Sequence, residues 1–129
     1  MFKPHAINFK EKNEKLTLLE NRTPNSTSEE KSKSFADLSK YQNGSIYVGY
    51  FNGSSDWERH SGGDEVVMVV EGETNLFILD KEESSFKLQS GEFIVVPKNA
   101  WHRFETLGPI KSITFTPMPT DHSIDLPKD

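Results

Sequence analysis

The sequence predicts an all-β domain built as an antiparallel sandwich or barrel. Three observations lead to this prediction. From residue 45 onward the chain consists of short runs rich in β-branched and aromatic residues. Glycine, proline, asparagine and aspartate separate these runs at intervals of about six to ten residues, which is typical of antiparallel all-β folds. No long helical pattern lies between the runs, so parallel strands joined by helices are not expected.

Residues 1–44 are predicted to form an N-terminal arm and one short helix that packs on the β domain. Serine or threonine followed three residues later by glutamate occurs twice within residues 26–30, and each occurrence is a capping box for a helix start. Phe35 and Leu38 follow at helical spacing, so the helix is predicted over about residues 28–40.

The remaining elements follow from the same kind of pattern. Leu16, Leu18 and Leu19 indicate an isolated strand in the arm. Glu71-Gly72 separates two β runs that are expected to form a hairpin, because Gly adopts the backbone conformation of a tight turn. The predicted strands of the barrel, at residues 45–117, are 45–51, 65–70, 74–79, 86–88, 92–96, 101–105 and 110–116. Residues 118–129 are interpreted as a C-terminal tail of the same single domain.

Composition excludes several classes of protein. The 129 residues carry a formal net charge of −5, whereas a nucleic-acid-binding protein normally presents a basic face to phosphates. The chain contains no cysteine, which rules out disulfides, thiolate metal sites and thiol catalysis. No run approaches the about 18 apolar residues that a membrane span needs, and the N-terminus has no signal-peptide pattern, so a cytoplasmic protein is expected.

Residues able to bind a metal lie in two separated segments. Glu58 and His60 are two residues apart, and alternation along a strand places them on the same face. A turn at Gly62-Gly63 reverses the chain, so that Glu65 starts the returning strand, and His102 on a later strand supplies a fourth group. Imidazole and carboxylate donors together suit a divalent transition metal such as Mn, Fe, Ni or Zn.

The spacing of these residues resembles the two motifs of the cupin superfamily, in particular its small single-domain conserved-barrel members. His60 is followed after four residues by Glu65 and after six more by Gly72, as in the first motif. Gly91, five residues, Pro97 and then His102 follow the second motif. The resemblance covers residues 45–117 and implies an antiparallel jelly-roll barrel with the short helix and arm at its N-terminus.

Three positions depart from the cupin motifs. Glu58 stands where the first histidine belongs, Asn99 replaces a glycine and Thr106 replaces the final asparagine. Asn99 is a mild change, because asparagine tolerates positive φ. Glu58 changes the ligand set to two histidines and two glutamates. Alternatively, Glu58 pairs with Arg59 or turns outward and leaves His60, Glu65 and His102 as the ligands.

The resemblance implies that a small molecule, whose identity the sequence does not give, binds in the barrel beside the metal. If the protein is an enzyme, the family implies oxygenase, isomerase or lyase chemistry, with Glu58 or Glu65 as a base. The alternatives are a non-catalytic, metal-free ligand-binding cupin and a regulatory cupin. A homodimer is expected, because barrel edges need cover and Leu16, Leu18 and Leu19 form an apolar group outside the barrel motifs.

Overall fold

The computed structural model describes residues 3–128, which form two β-sheets and two short helices. The helices are α1 (Phe9–Glu14) and α2 (Ser28–Lys31). The strands are β1 (Leu19–Arg22), β2 (Phe35–Tyr41), β3 (Gly44–Gly53), β4 (Trp57–His60), β5 (Glu65–Glu71), β6 (Glu73–Leu79), β7 (Glu83–Gln89), β8 (Phe93–Val96), β9 (Trp101–Thr106), β10 (Ile110–Pro117) and β11 (Thr120–Ser123).

The two sheets have the jelly-roll arrangement that the sequence predicts, as an open sandwich rather than a closed barrel. The first sheet has the order β1-β3-β10-β5-β8, with β2 also paired to β3. The second sheet has the order β11-β4-β9-β6-β7. Every pairing is antiparallel except that of β1 with β3, which is parallel.

The apolar core lies between the sheets and follows from alternation along the strands. Every second residue of β5 and β6 is buried, including Val67, Val69 and Leu76. Glu65 is two residues before Val67 and shares its inward face. Ile78 of the core pairs in register with His102. The candidate ligands therefore continue the inward faces of the core strands.

The motif glycines adopt conformations that other residues rarely take. Gly72 has φ +92° and Gly91 has φ +86°. A Cβ atom at Gly72 would lie 2.4 Å from the carbonyl oxygen of Pro109. Asn99, which replaces the glycine of the second motif, has φ +68°, as expected for an asparagine in a left-handed position. The turns that end β5 and precede β9 are thus set by backbone requirements.

The prediction of a helix over residues 28–40 is wrong beyond its first turn. Thr27 and Glu30 form the predicted capping box, but α2 ends at Lys31. The chain then enters β2, because its backbone hydrogen bonds are made with β3 instead of within a helix. The helix α1, which starts at the N-cap Asn8, lies in the segment that was interpreted as an extended arm.

The segments outside residues 45–117 contribute strands to the same two sheets. Leu19, one of the three arm leucines, begins β1 and pairs with Phe51 of β3. The C-terminal segment, interpreted from the sequence as a tail, contains β11, which pairs with β4. None of the helices within residues 3–128 is long and apolar enough to span a membrane.

Candidate functional site

The structure brings the four predicted metal-binding side chains together. Glu58 and His60 lie on β4, Glu65 begins β5 and His102 lies on β9. Glu58 pairs in register with His102, which places the two side chains next to each other across the strands. Donor atoms of Glu58, His60 and His102 all lie within 4.8 Å of one another.

The carboxylate of Glu65 contacts both imidazoles through the same oxygen. Its Oε1 lies 2.8 Å from Nε2 of His102 and 3.4 Å from Nε2 of His60. The longer contact lacks hydrogen-bond geometry, so Nε2 of His60 is buried without a hydrogen-bond partner. Buried polar atoms are nearly always satisfied, and an unsatisfied imidazole nitrogen beside a carboxylate is a donor set that fits a metal ion.

Each of the three buried ligand candidates is oriented by a second group. Nδ1 of His102 donates a hydrogen bond to the carbonyl oxygen of Ala100 at 3.1 Å, which leaves Nε2 to face the site. Nδ1 of His60 lies 3.0 Å from the hydroxyl of Thr120. The hydroxyl of Thr116 donates to Oε2 of Glu65 at 2.6 Å. Such partners fix the ring and carboxylate orientations that metal binding requires.

The contact between Glu65 and His102 is an ion pair in the absence of metal. Burial alone would raise the pKa of Glu65, but the contacts with His102 and His60 outweigh it and lower this pKa to about 2. Burial would likewise lower the pKa of His102, yet the hydrogen bond and charge of Glu65 raise it above its ordinary value. Nδ1 of His102 already carries a proton, because it donates to a carbonyl oxygen. In a neutral ring, Nε2 would then carry a lone pair that repels the carboxylate of Glu65, so the charged ring is favoured.

Glu58 faces the interior, so the alternative in which it pairs with Arg59 or turns outward is wrong. Arg59 points to the other face of β4 and pairs with Asp121 at 2.9 Å. The neighbour of Glu58 is His122 of β11, whose Nδ1 lies 3.5 Å from Oε2 of Glu58 and 2.8 Å from Asp56. The sequence placed His122 in a terminal segment, without a role in the site.

A cavity of about 390 Å³ adjoins these residues. Glu58, His60 and Glu65 form part of its wall. Aromatic side chains line another part, including Phe35, Phe51 and Phe104. This combination of apolar walls and a few convergent polar groups is characteristic of small-molecule sites.

Three further residues of the site were missed from the sequence. Thr116 could have been found, because it lies on the inward face of a predicted strand, where a polar residue needs a partner. Thr120 lies in the segment interpreted as a tail. Arg22, which lines the cavity, is one of several basic residues in a polar arm and carries no distinguishing pattern.

The fold and the site define a jelly-roll protein with a buried cluster of imidazole and carboxylate groups. The family model of the cupin domain (Cupin_2) matches residues 51–115, just over half of the chain. This chain therefore belongs to the cupin family.

Comparison with individual proteins agrees with this assignment. The chain is 31% identical over 66 residues to the uncharacterized protein YdbB of Bacillus subtilis (strain 168), and the match covers 51% of this chain and 57% of YdbB. It thus spans little more than half the length of that curated relative.

Two solved structures share the fold. A cupin-2 domain containing protein from Shewanella frigidimarina NCIMB 400 has a TM-score of 0.63 at 20% identity, over 92% of this chain and 95% of that one. Hydroquinone 1,2-dioxygenase PnpCD, in complex with Cd²⁺ and 4-hydroxybenzonitrile, has a TM-score of 0.55 at 16% identity, over 64% of this chain and 63% of its own.

The ion pair predicts how the stability of the metal-stripped protein depends on pH. The folded pKa of Glu65 is about 2, against an ordinary value of 4.5. This carboxylate therefore stabilises the fold above pH 4.5, and the contribution is lost as the pH falls towards 2. We expect urea unfolding at pH 6, 4 and 3 to show a steeper loss of unfolding free energy for the wild type than for Glu65→Gln. The half-exposed Glu105→Gln is the control and should keep the wild-type slope, and equal slopes for all three proteins would contradict the ion pair.

Proposed function

We propose that this cupin binds a small organic molecule beside a divalent transition metal held by Glu58, His60, Glu65 and His102. The observation that carries the proposal is the convergence of two buried Nε2 atoms on one carboxylate oxygen, with that of His60 lacking a hydrogen-bond partner. Two imidazoles and two carboxylates suit Mn, Fe, Ni or Zn. The similarly folded hydroquinone 1,2-dioxygenase PnpCD is in complex with Cd²⁺, which supports the proposal of a metal in this cupin.

The proposed activity is metal-dependent oxygenase or isomerase chemistry on the molecule in the cavity. A bound metal would supply Lewis acidity or activate oxygen. The chain itself contributes a wall of aromatic side chains against which the apolar part of the molecule would pack. If His60, Glu65 and His102 alone hold the metal, Glu58, which is less buried than Glu65 and lines the same cavity, would accept a proton from the bound molecule.

One observation favours a second candidate function, a metal-free ligand-binding cupin. The ion pair of Glu65 with His102 at 2.8 Å neutralises the buried carboxylate without any metal. In that case the cavity would bind its ligand through the ion pair and the aromatic walls alone. Metal analysis distinguishes the two functions.

We expect protein purified without chelators or a polyhistidine tag to contain a divalent transition metal. His102→Ala should weaken metal affinity by more than about a hundredfold, because loss of a ligand costs more than loss of one of its supporting partners. His122→Ala is the comparison variant, since His122 contacts Glu58 but none of the buried ligands, and it should weaken metal affinity less than His102→Ala. Elemental analysis and the thermal shift on adding Mn²⁺, Ni²⁺ or Zn²⁺ measure both effects. Absence of metal and of any shift in the wild type would favour the metal-free function.

Glu58→His should tighten the binding of Ni²⁺ or Zn²⁺ by about tenfold, because imidazole is the stronger donor for these ions. Competition with a chromophoric chelator measures the affinity. Glu58→Gln is the control, because it removes the charge without supplying an imidazole. A weaker affinity in Glu58→His would contradict the expectation and identify the Glu58 carboxylate as a ligand that imidazole does not replace.

We further propose that the protein is a homodimer, formed through the outer face of the first sheet. The arm that the sequence suggested for this contact lies on its own chain, where β1 pairs with β3. The outward side chains of β10, β5 and β8 instead form two apolar rows in register. They are Ile113, Met68 and Phe93 in one row, and Phe115, Val66 and Val95 in the other.

Exposure and charge favour a second copy as the partner of this face. Phe93 is 61% exposed and Val95 is 48% exposed, and both lie on β8 at the edge of the sheet. The two rows contain no charged residue, whereas the chain as a whole carries a net charge of −5. Two copies therefore approach each other with least repulsion through this face, and a two-fold axis would bury the same rows on both.

Light scattering at micromolar concentration should give a mass twice the 14.7 kDa of one chain. Phe93→Glu should shift the protein to the monomer, because it places a charge within the apolar rows. Leu107→Glu is the control, because Leu107 lies in the turn after β9, outside the apolar rows, and is 55% exposed, close to the 61% of Phe93. This variant should remain dimeric. A monomeric wild type, or a dimeric Phe93→Glu variant, would contradict the proposed interface.

A further inference from the structure

Arg22 is a buried cation in the cavity wall. It ends β1 and is only 8% exposed. Its guanidinium carbon lies 4.5 Å from the centre of the Phe51 ring and 4.9 Å from that of Phe35. Its backbone packs closely on Gly53, where a Cβ atom would lie 2.2 Å from the carbonyl oxygen of Arg22. The close approach of β1 to β3 therefore holds the side chain at the cavity.

The guanidinium makes no ion pair and no side-chain hydrogen bond within residues 3–128, and its neighbours are the rings of Phe35 and Phe51. Buried charges in proteins are normally paired, since desolvation of an unpaired one is costly. Burial lowers the pKa of Arg22, and the charges of Glu58 and Asp56 oppose this change. A guanidinium remains charged at any pH at which proteins fold. Arg22 thus presents an unpaired positive charge to the cavity.

We propose that Arg22 binds the carboxylate of the cavity's ligand, which is a small carboxylic acid with an apolar or aromatic body. The planar guanidinium matches a carboxylate with two parallel hydrogen bonds. Lys31, also in the cavity wall, adds a second cation, and the rings of Phe35, Phe51 and Phe104 accommodate the apolar body. This inference rests on the proposed function in taking the cavity as the ligand site.

The charges around the cavity favour an anion. A divalent metal would offset Glu58 and Glu65, and Asp56 is hydrogen-bonded to His122. Arg22 and Lys31 would then be the unmatched charges of the wall, and both attract an anionic group.

The test compares acids with their neutral amides. Benzoate, phenylacetate and hexanoate are each titrated into the full-length, Mn²⁺-supplemented protein beside benzamide, phenylacetamide and hexanamide, by calorimetry. We expect at least one acid to bind about tenfold or more tightly than its amide, because a charge-assisted pair with Arg22 is lost in the amide. Arg22→Gln should abolish this preference, and Arg22→Lys should retain part of it, because lysine keeps the charge but not the planar fork.

Arg59→Gln is the matched control, because the guanidinium of Arg59 also stacks on an aromatic ring, 4.6 Å from the centre of the Trp101 ring. Arg59 does not line the cavity, since it lies on the face of β4 opposite to Glu58. This variant should keep the wild-type preference. The inference is overturned if no acid binds more tightly than its amide in the wild type, or if Arg22→Gln keeps the preference. Should Arg22→Gln fail to fold, the acid and amide titrations of the wild type and of Arg22→Lys decide the matter.

Metal content measured on the same samples separates this inference from the proposed function. If the wild type holds no metal and still prefers acids through Arg22, the metal proposal fails and the inference stands. If wild type and Arg22→Gln hold metal equally and neither prefers acids, the inference fails and the metal proposal stands.

Discussion

The burial of the Glu65 carboxylate is the constraint on which the site depends. A charged group removed from water needs compensation from several directions, and Glu65 receives it from His102 at 2.8 Å and Thr116 at 2.6 Å, with His60 at 3.4 Å. His60 and His102 belong to the second sheet, whereas Glu65 and Thr116 belong to the first. The same carboxylate therefore orients the two imidazoles and joins the sheets across the interior.

The proximity of the four candidate ligands could be predicted from the sequence because backbone requirements fix their spacing. Alternation places Glu58 and His60 on one face, and the turns at Gly72 and Asn99 need positive φ, which is visible in the residue types. The antiparallel all-β class followed from the turns between the strands, and the resemblance to the cupin motifs implied the jelly roll. Spacing alone could not decide whether the Glu58 side chain faces the interior. Its orientation depends on β11, because His122 of that strand pairs with Glu58 in register.

The terminal segments could not be predicted, because their structure depends on contacts with distant strands. Phe35 and Leu38 are three residues apart, which fits a helix, yet β2 has an irregular register between Asp37 and Ser39 that lets a strand carry this spacing. The four-residue strands β1 and β11 have weak patterns of their own and form by pairing with β3 and β4. These two strands deliver Arg22 and Thr120 to the site, and for this reason both residues were missed.

The departure at Glu58 and the buried Arg22 are two parts of one electrostatic arrangement. With a histidine at position 58, as the family motif has it, a divalent metal would keep part of its charge and attract an anion directly. The second carboxylate removes that attraction, since Glu58 and Glu65 together offset the metal. Arg22, whose pKa responds to the charge of Glu58, restores a positive centre at another point of the same wall. Under the proposed function the site would separate two tasks: the imidazole and carboxylate cluster would bind the metal, and the arginine between two aromatic rings would bind the anionic end of the ligand.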